Sequence, residues 1–478
     1  MERERKPISF GLAVVPLIIM IVAMSFTIVV FEGSPHIPLI LGTIVSAFIA
    51  WRCGFSWKEV EESIYKGIRL ALPAVVIIII VGVIIGAWIG GGVIATMVYY
   101  GLKLISPQVF LMTMTIISAI VALAIGSSWS TMGTIGVAGM GIGISMGIPA
   151  PMIAGAIISG AYFGDKMSPL SDSTNLAAGV VGVDLFEHIK HMLATTIPGL
   201  IIALGVYWYL GRSFSGSDVI DGNVSEVMVS LQNNFVITPW LLLVPAIVIM
   251  LVAKKVPALP ALTVGVILGF LSHIFIQGGS IGDAVNTLND GFSISSGNEM
   301  IDSLFNRGGI EAMMYTVSLT IVAMTFGGVL ENTGMLKAMV DQILKLAKTS
   351  KGLVTTAISS AFFTNVTTAE QYISVVLPGR MYVQSFKDQK LHPKNLSRAV
   401  EDGGTLTSVF VPWNTCAIFI FATLAVHPFE YAPYAVLNFV VPILSIIYAW
   451  TGFTITRLTD AQILEMNEAQ DKSEQKAI

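Results

Sequence analysis

Gly164-Asp165-Lys166-Met167-Ser168-Pro169-Leu170-Ser171-Asp172-Ser173-Thr174-Asn175 places two carboxylates, an amine and a row of hydroxyls between two apolar runs. Charged side chains in such a setting are costly and mark ion or substrate pathways. Gly, Ser, Pro and Asn also favour a broken helix, which is tolerated in hydrocarbon only where it is packed in protein or lines a cavity. Upstream lie Ser127, Ser128 and Thr131. A second group follows much later: Asn365, Thr367, Thr368 and Glu370, then Glu401, Asp402, Thr405, Thr407, Ser408, Asn414 and Thr415. A hard cation that sheds water takes oxygen ligands instead. Carboxylates, hydroxyls, amides and the carbonyls of an unwound helix supply them. The first set offers Asp165, Asp172, Ser127, Ser128, Thr131, Ser168, Ser173, Thr174 and Asn175; the second offers Asn365, Thr368, Glu370, Asp402, Thr405 and Asn414.

A carboxyl that takes up and releases protons must titrate in the physiological range, and an ordinary Asp near ~3.9 does not. Burial and a neighbouring carboxylate are the two means of bringing one there. Asp165 with Asp172, and Glu401 with Asp402, have such neighbours in sequence. Asp165 and Asp402 are the first choices, as equivalent points of two repeats. Lys166 either pairs with Asp165 or Asp172 and is released by the cation, or holds a substrate carboxylate. Cys53 and Cys416 fall in different segments and no His/Cys cluster exists. Disulfide, transition-metal site and bound cofactor are therefore not expected. No Gly-Lys-Ser/Thr phosphate loop is present, which disfavours ATP-driven work.

The elements that position these residues must be membrane helices. The chain has 478 residues, of which 54% are hydrophobic and 12% charged. A soluble domain carries about twice that charged share. Runs such as Val14–Phe31 and Ala71–Trp88 suit bilayer spans. The apolar run behind Arg3, Arg5 and Lys6 is long for a signal peptide and reads as a retained first span. Spans are expected at about 8–31, 36–51, 70–90, 150–182 and 192–211, with a hairpin at 107–148. A second series is expected at 237–253, 258–276, 312–331, 396–425 and 434–452, with a hairpin at 352–378. The fold class is thus an all-α polytopic membrane protein of two halves. Each half has five crossings, one of them broken, and a helical hairpin whose re-entrant or fully spanning nature stays open. The divisions are 1–211, an extracellular linker 212–236, 237–458, and a cytoplasmic tail 459–478.

Short motifs recur in preserved order. Ser63–Gly67 and Ser303–Gly308 precede similar runs; Gly90–Gly92 matches Thr333-Gly334; Gly126–Thr131 matches Thr364–Glu370; Gly164-Asp165 matches Glu401–Gly404. All Lys and Arg except Lys103, Arg212, Arg307 and the intramembrane Lys166 fall on one side of this topology. That side is the cytoplasm and holds both termini. An odd number of crossings per half turns the second copy upside down.

At Gly126–Thr134, Ser159–Asn175 and Glu401–Thr415 the chain resembles the NhaC-type sodium/proton antiporters, which include malate/lactate antiporter relatives. The resemblance covers most of the chain. It implies cation-coupled secondary transport at the cytoplasmic membrane, with sodium and protons as the moving ions. The second reading is exchange of small carboxylates coupled to sodium or protons. A third, an intramembrane aspartyl enzyme, is disfavoured because catalysis needs one dyad rather than two polar breaks. Partners are the lipid bilayer, sodium, protons and, on the second reading, small carboxylates; nucleic acid is not expected, and a homo-oligomer stays open.

Plainer roles are also expected. Hydroxyls in membrane helices often serve close packing. Glu401 pairs with Arg398; Glu331 and Asp341 are solvated near the inner surface; His188 and His191 lie at that surface. Trp88, Trp208, Trp240 and Trp450 are interfacial anchors.

Overall fold

The computed structural model describes residues 5–31, 33–214, 218–347 and 349–458. The expected tail, Thr459 to Ile478, lies outside the described residues. The first half contains α1 (Phe10–Ser25), α2 (His36–Arg52), α3 (Trp57–Gly90), α4 (Val93–Leu104), α5 (Pro107–Ile125), α6 (Ser128–Thr131), α7 (Val137–Ser145), α8 (Ala150–Met167), α9 (Asp172–Val181) and α10 (Leu185–Gly211). Then come α11 (Asp218–Asn234), α12 (Leu243–Ala253), α13 (Ala258–Phe275), α14 (Ile281–Asp290), α15 (Glu299–Phe305), α16 (Gly309–Asn332) and α17 (Met335–Lys345). The remainder is α18 (Ser350–Thr368), α19 (Gln371–Asp388), α20 (Pro393–Val400), α21 (Thr415–Leu424), α22 (Pro428–Tyr431) and α23 (Val436–Thr451).

Among the described residues, six helices are long and apolar enough to cross a membrane, and nine spans result if each of three bent pairs counts as one. The six are α1, α3, α5, α10, α13 and α16, the first extended to Ile28 and α10 to Phe214. The chain is therefore a multi-pass, all-helical membrane protein. Eight of the ten expected spans fall on these helices or bent pairs; 36–51 (α2) and 150–182 (α8 and α9) do not, and α5 lies in the expected hairpin 107–148. Two further differences have clear causes. Helix α3 starts well before residue 70, because Ser56 and Glu59 form a capping box and nucleate a polar first turn. Segment 91–107 is not a plain connection: Gly92, at φ 72°, starts α4, whose Val93, Ile94, Val98 and Leu102 are buried. At 12 residues it is too short to announce a span.

Matching local structures recur at a constant interval. Gly126 (φ 76°) and Ala369 (φ 59°) end the first arms of the two hairpins in the left-handed conformation. Ser127 and Glu370, next in sequence and extended, cap the second arms. Ser171 caps α9 and Asn414 caps α21, each after a helix break. Gly182 and Ala425 end α9 and α21, again left-handed.

Close contacts between elements are reciprocal as well. Helices α3 and α16 run antiparallel, backbone against backbone: a Cβ on Gly67 would lie 2.8 Å from Gly328 Cα, and one on Gly86 would lie 3.2 Å from Gly309 N. Gly136, behind the first hairpin tip, packs on Leu424 of α21. Gly379, behind the second tip, packs on Val180 and Val181 of α9. Each hairpin thus abuts the broken helix of the opposite half. Trp88 is not an interfacial anchor; it is buried against α13 and donates to Gly265 O (3.0 Å). Trp208, Trp240 and Trp450 are exposed, as expected.

Candidate functional site

The first helix break is narrower than the polar stretch. Helix α8 runs through Asp165 and Lys166 to Met167, and the chain re-enters helix at Asp172. The two adjacent charges face different partners. Asp165 turns to the first hairpin tip: Oδ2 accepts from Ser128 N–H (3.1 Å) and Ser128 Oγ–H (2.7 Å). Its Oδ1 accepts from Ser171 Oγ–H (2.5 Å). Its two oxygens thus accept three hydrogen bonds within the protein. Lys166 turns the other way, into the second half, and donates to Asp402. Both side chains of that ion pair are 0% exposed. The expected pairing of Lys166 with Asp165 or Asp172 is therefore corrected, since consecutive helical residues point about 100° apart and cannot share a partner here.

A line of hydroxyls joins these two groups. Ser171 Oγ, donor to Asp165, lies 3.1 Å from Ser173 Oγ. Ser173 in turn donates to Glu401 Oε1 (3.1 Å). Glu401 and Asp402 open a π-type turn, Glu401–Thr405, that continues α20. Thr195 of α10 donates to Asp402 Oδ2 (3.4 Å). The expected pair of Glu401 with Arg398 is not formed; Arg398 donates instead to Thr454 Oγ1 (2.9 Å). Asp165 and Asp402 are also not equivalent. Asp165 stands just before its break, whereas Asp402 stands a full π turn and a 3-10 turn ahead of Val411–Asn414.

A cavity of about 670 Å³ adjoins Asp165. Its wall includes Ser127, Ser128, Asp172, Ser173, Glu370, Gln371, Thr415 and Cys416, and also Arg69 and Lys255. Both hairpin tips and both post-break helices thus meet at one space. Asp165 and Asp172 both line this cavity.

The other expected ligands divide. Thr131 and Thr368 donate to carbonyls of their own helices, Ser127 O and Thr364 O. Ser168 accepts from Leu170 N–H, and Thr174 donates to Lys166 O (3.0 Å). Asn175 donates to Pro169 O and Ser171 O, bracing the break. Glu370 accepts from Tyr372 and Ile373 N–H while lining the cavity. Asn365 binds Gly404 O and Thr407, and its amide oxygen accepts from Asn414. Thr405 Oγ1 is buried without a partner among the described residues. Asn365, Thr368, Thr405 and Asp402 do not line the cavity.

Sequence reasoning missed Ser171, Gln371 and Thr195. Ser171 carried a signal, since a Ser ahead of Asp172 is a helix N-cap whose hydroxyl is held in place. Gln371 follows the second tip as Ser128 follows the first. It meets Ser408 Oγ (3.5 Å) and Cys416 Sγ (2.8 Å), where Ser128 meets Asp165. His188 is not at the surface but fully buried, with Nδ1 2.8 Å from Ser397 Oγ. Glu331 is half-buried and its Oε2 has no partner among the described residues.

Buried carboxylates and hydroxyls gathered at two helix breaks, inside a many-helix membrane body, define a polytopic membrane protein with a polar site in its interior. Comparison with known proteins gives the family. The profile of the Na+/H+ antiporter family matches residues 160–453. The Na(+)/H(+) antiporter NhaC of Alkalihalophilus pseudofirmus is 35% identical over 94% of this chain and 97% of its own. NhaC of Bacillus subtilis is 36% identical over 93% and 98%. The malate-2H(+)/Na(+)-lactate antiporter of Bacillus subtilis is 39% identical over 95% and 96%. The chain belongs to the Na+/H+ antiporter family.

Proposed function

We propose that this protein exchanges sodium for protons across the cytoplasmic membrane by alternating access, with Asp165 as the principal cation ligand. The observation that carries this reading is the hydrogen-bonded line Asp165–Ser171–Ser173–Glu401. It joins a cavity-lining carboxylate to the buried Glu401, Asp402 and Lys166. A cation arriving at Asp165 draws on the oxygens of Ser128, Ser171 and Asp172 and withdraws the hydroxyls from their present bonds. The charge change passes along the line to Glu401 and, through the next residue of α8, to the Lys166–Asp402 pair. Proton release there balances sodium uptake. Glu370 and the amide of Gln371 are the second half's contribution to the same cavity.

Alternating access rests on an inverted repeat comprising 1–211 and 237–458, joined by an extracellular linker 212–236 that includes α11. The reciprocal contacts support it: Gly67 with Gly328 against Gly86 with Gly309, and Gly136 with Leu424 against Gly379 with Val181. Contacts that exchange partners in this way belong to a two-fold relation. Arg69 and Lys255 line the cavity and belong to segments whose charge places them in the cytoplasm. The cavity is accordingly read as inward-facing, with both termini inside.

The second reading, exchange of a small carboxylate together with sodium and protons, is favoured by one observation. A 670 Å³ cavity holds about twenty waters' volume, far more than a cation requires, and Arg69 and Lys255 line it together with the acids.

The test is transport by the purified protein in liposomes. A sodium gradient should drive proton movement without any organic acid, and lowering pH should raise the sodium concentration for half-maximal rate, because protons and sodium compete through linked groups. Movement only with malate or lactate present would favour the second reading; no sodium-linked proton movement in either case would remove the first.

A further inference from the structure

Helices α10 and α20 each carry a polar stripe, and the stripes face each other. On α10 the stripe is Glu187, His188, His191 and Thr195, successive turns of one face. On α20 and its π turn it is Lys394, Ser397, Arg398, Glu401 and Asp402. Three contacts lock them in register. Lys394 donates to Glu187 (3.0 Å), His188 meets Ser397 (2.8 Å), and Thr195 donates to Asp402 (3.4 Å). The column begins at half-exposed charges and ends at the fully buried Lys166–Asp402 pair. Its middle is sealed: His188, Ser397 and Thr195 are 0% exposed. His188 Nε2 and His191 Nε2 are buried with no partner among the described residues, as are Nε and Nη2 of Arg398. None of these residues lines the cavity.

The counterpart in the first half is closed. The residues standing where Lys394, Ser397, Arg398 and Glu401 stand are Pro151, Ala154, Gly155 and Ile158, judged by the interval that relates the hairpin tips and caps. Gly155 is packed on Tyr434, with no room for a Cβ. Two halves that match at their tips and breaks differ here, so the column is a property of one side only.

We propose that His188, relayed by His191 and Ser397, forms a proton route between the cytoplasm and Asp402, separate from the cavity through which sodium reaches Asp165. The inference rests on the transport reading above. An imidazole with one nitrogen bonded to a hydroxyl and the other open can accept a proton on one face and release one from the other. The steps between His191, His188 and Thr195 require water to enter this sealed column. The charged and titratable groups facing the route are Glu187 and His191 on its own helix, His392, Lys394 and Arg398 beside it, Lys166 from α8, Glu401 and Asp402 from the π turn, and Tyr448 from α23. Arg398 and Lys166 present positive charge to it, which suits a relay that passes protons onward rather than storing them. Separate entry lets sodium occupy the cavity without blocking proton exit.

The experiment compares wild type, His188→Gln and His191→Gln in liposomes. Glutamine in place of His188 keeps a hydrogen bond to Ser397 and cannot relay a proton. Sodium-driven proton flux should fall at least tenfold in His188→Gln. Its dependence on cytoplasmic pH should flatten. Equilibrium sodium binding, read by titration in detergent, should stay within twofold and so report a folded cavity. His188→Ala should regain part of its rate with external imidazole. Wild-type flux and pH profile in His188→Gln would overturn the route while leaving the transport reading intact. Loss of sodium binding along with flux would assign His188 a structural role and overturn it too. Absence of sodium-linked proton movement in the wild type would overturn both.

Discussion

Lys166 and Asp402 form an ion pair across the two halves of the molecule with neither side chain exposed. Removing one member of a buried pair leaves an uncompensated charge and costs about 3–5 kcal/mol. Asp402→Asn should therefore lower the thermal midpoint of the purified protein clearly and stop transport. Lys166→Met with Asp402→Leu removes both charges, and such exchanges are often neutral or stabilising. The double variant should recover the midpoint and remain inactive. Recovery of transport as well would mean that the pair is a structural clasp.

Asp165 accepts three hydrogen bonds, two from Ser128 and one from Ser171. Asp165→Asn should abolish sodium-dependent transport while the protein remains folded. Ser171→Ala removes a bond to a charged group, worth about 1.5–3 kcal/mol, and also cuts the line to Ser173. Its half-saturating sodium concentration should rise about tenfold or more, with proton movement loosened from sodium movement. Sodium titration and proton flux measured on one preparation separate the two effects. A Ser171→Ala variant with unchanged affinity and tight coupling would remove the line from the mechanism.

The inverted arrangement is tested by labelling. Ser295→Cys, in the loop between α14 and α15, should react with an impermeant maleimide added outside intact cells. Asp388→Cys, at the end of α19, should react only after the membrane is opened. Cys53 and Cys416 are buried, and a Cys53→Ala, Cys416→Ser background keeps the signal clean. The opposite pattern would require both halves to be turned over or set parallel.

Much of the architecture was legible because apolar runs and basic loops are one-dimensional signals. The hairpin tips and breaks were legible for the same reason: Gly126, Pro169 and Asn414 are residues whose backbone preferences act locally. Partner choice was not. Whether Lys166 meets Asp172, six residues on, or Asp402, in the other half, depends on how α8 is rotated, and rotation is set by packing such as Gly160 and Gly164 against α5. His188 shows the same limit. Its neighbours Glu187 and Lys190 read as a surface helix, and only the docking of α20 buries one face of that turn. Helix α4 escaped notice because its 12 residues gain stability from buried contacts rather than from length.

His392 supplies a pH test outside the spans. It caps α20, its Nδ1 accepting from Lys394 N–H (3.3 Å), and its Nε2 lies 3.7 Å from Glu187. Burial pushes its pKa below the ordinary 6.5; Glu187 works in the opposite sense, and Lys394 lowers it further. The folded state thus binds its proton more weakly than the unfolded state does. The stability this contributes is complete above the ordinary value and is lost as pH falls from there toward the folded pKa. Protonation also puts a hydrogen on the cap acceptor or forces the ring to turn. The thermal midpoint of the wild type should therefore fall, as pH drops below 6.5, more steeply than that of His392→Asn, because Asn caps well at any pH. The two curves should converge above about pH 7.5. Equal slopes on the acid side would show that this cap does not feel the proton, and the acid sensitivity would then have to come from the membrane-embedded groups.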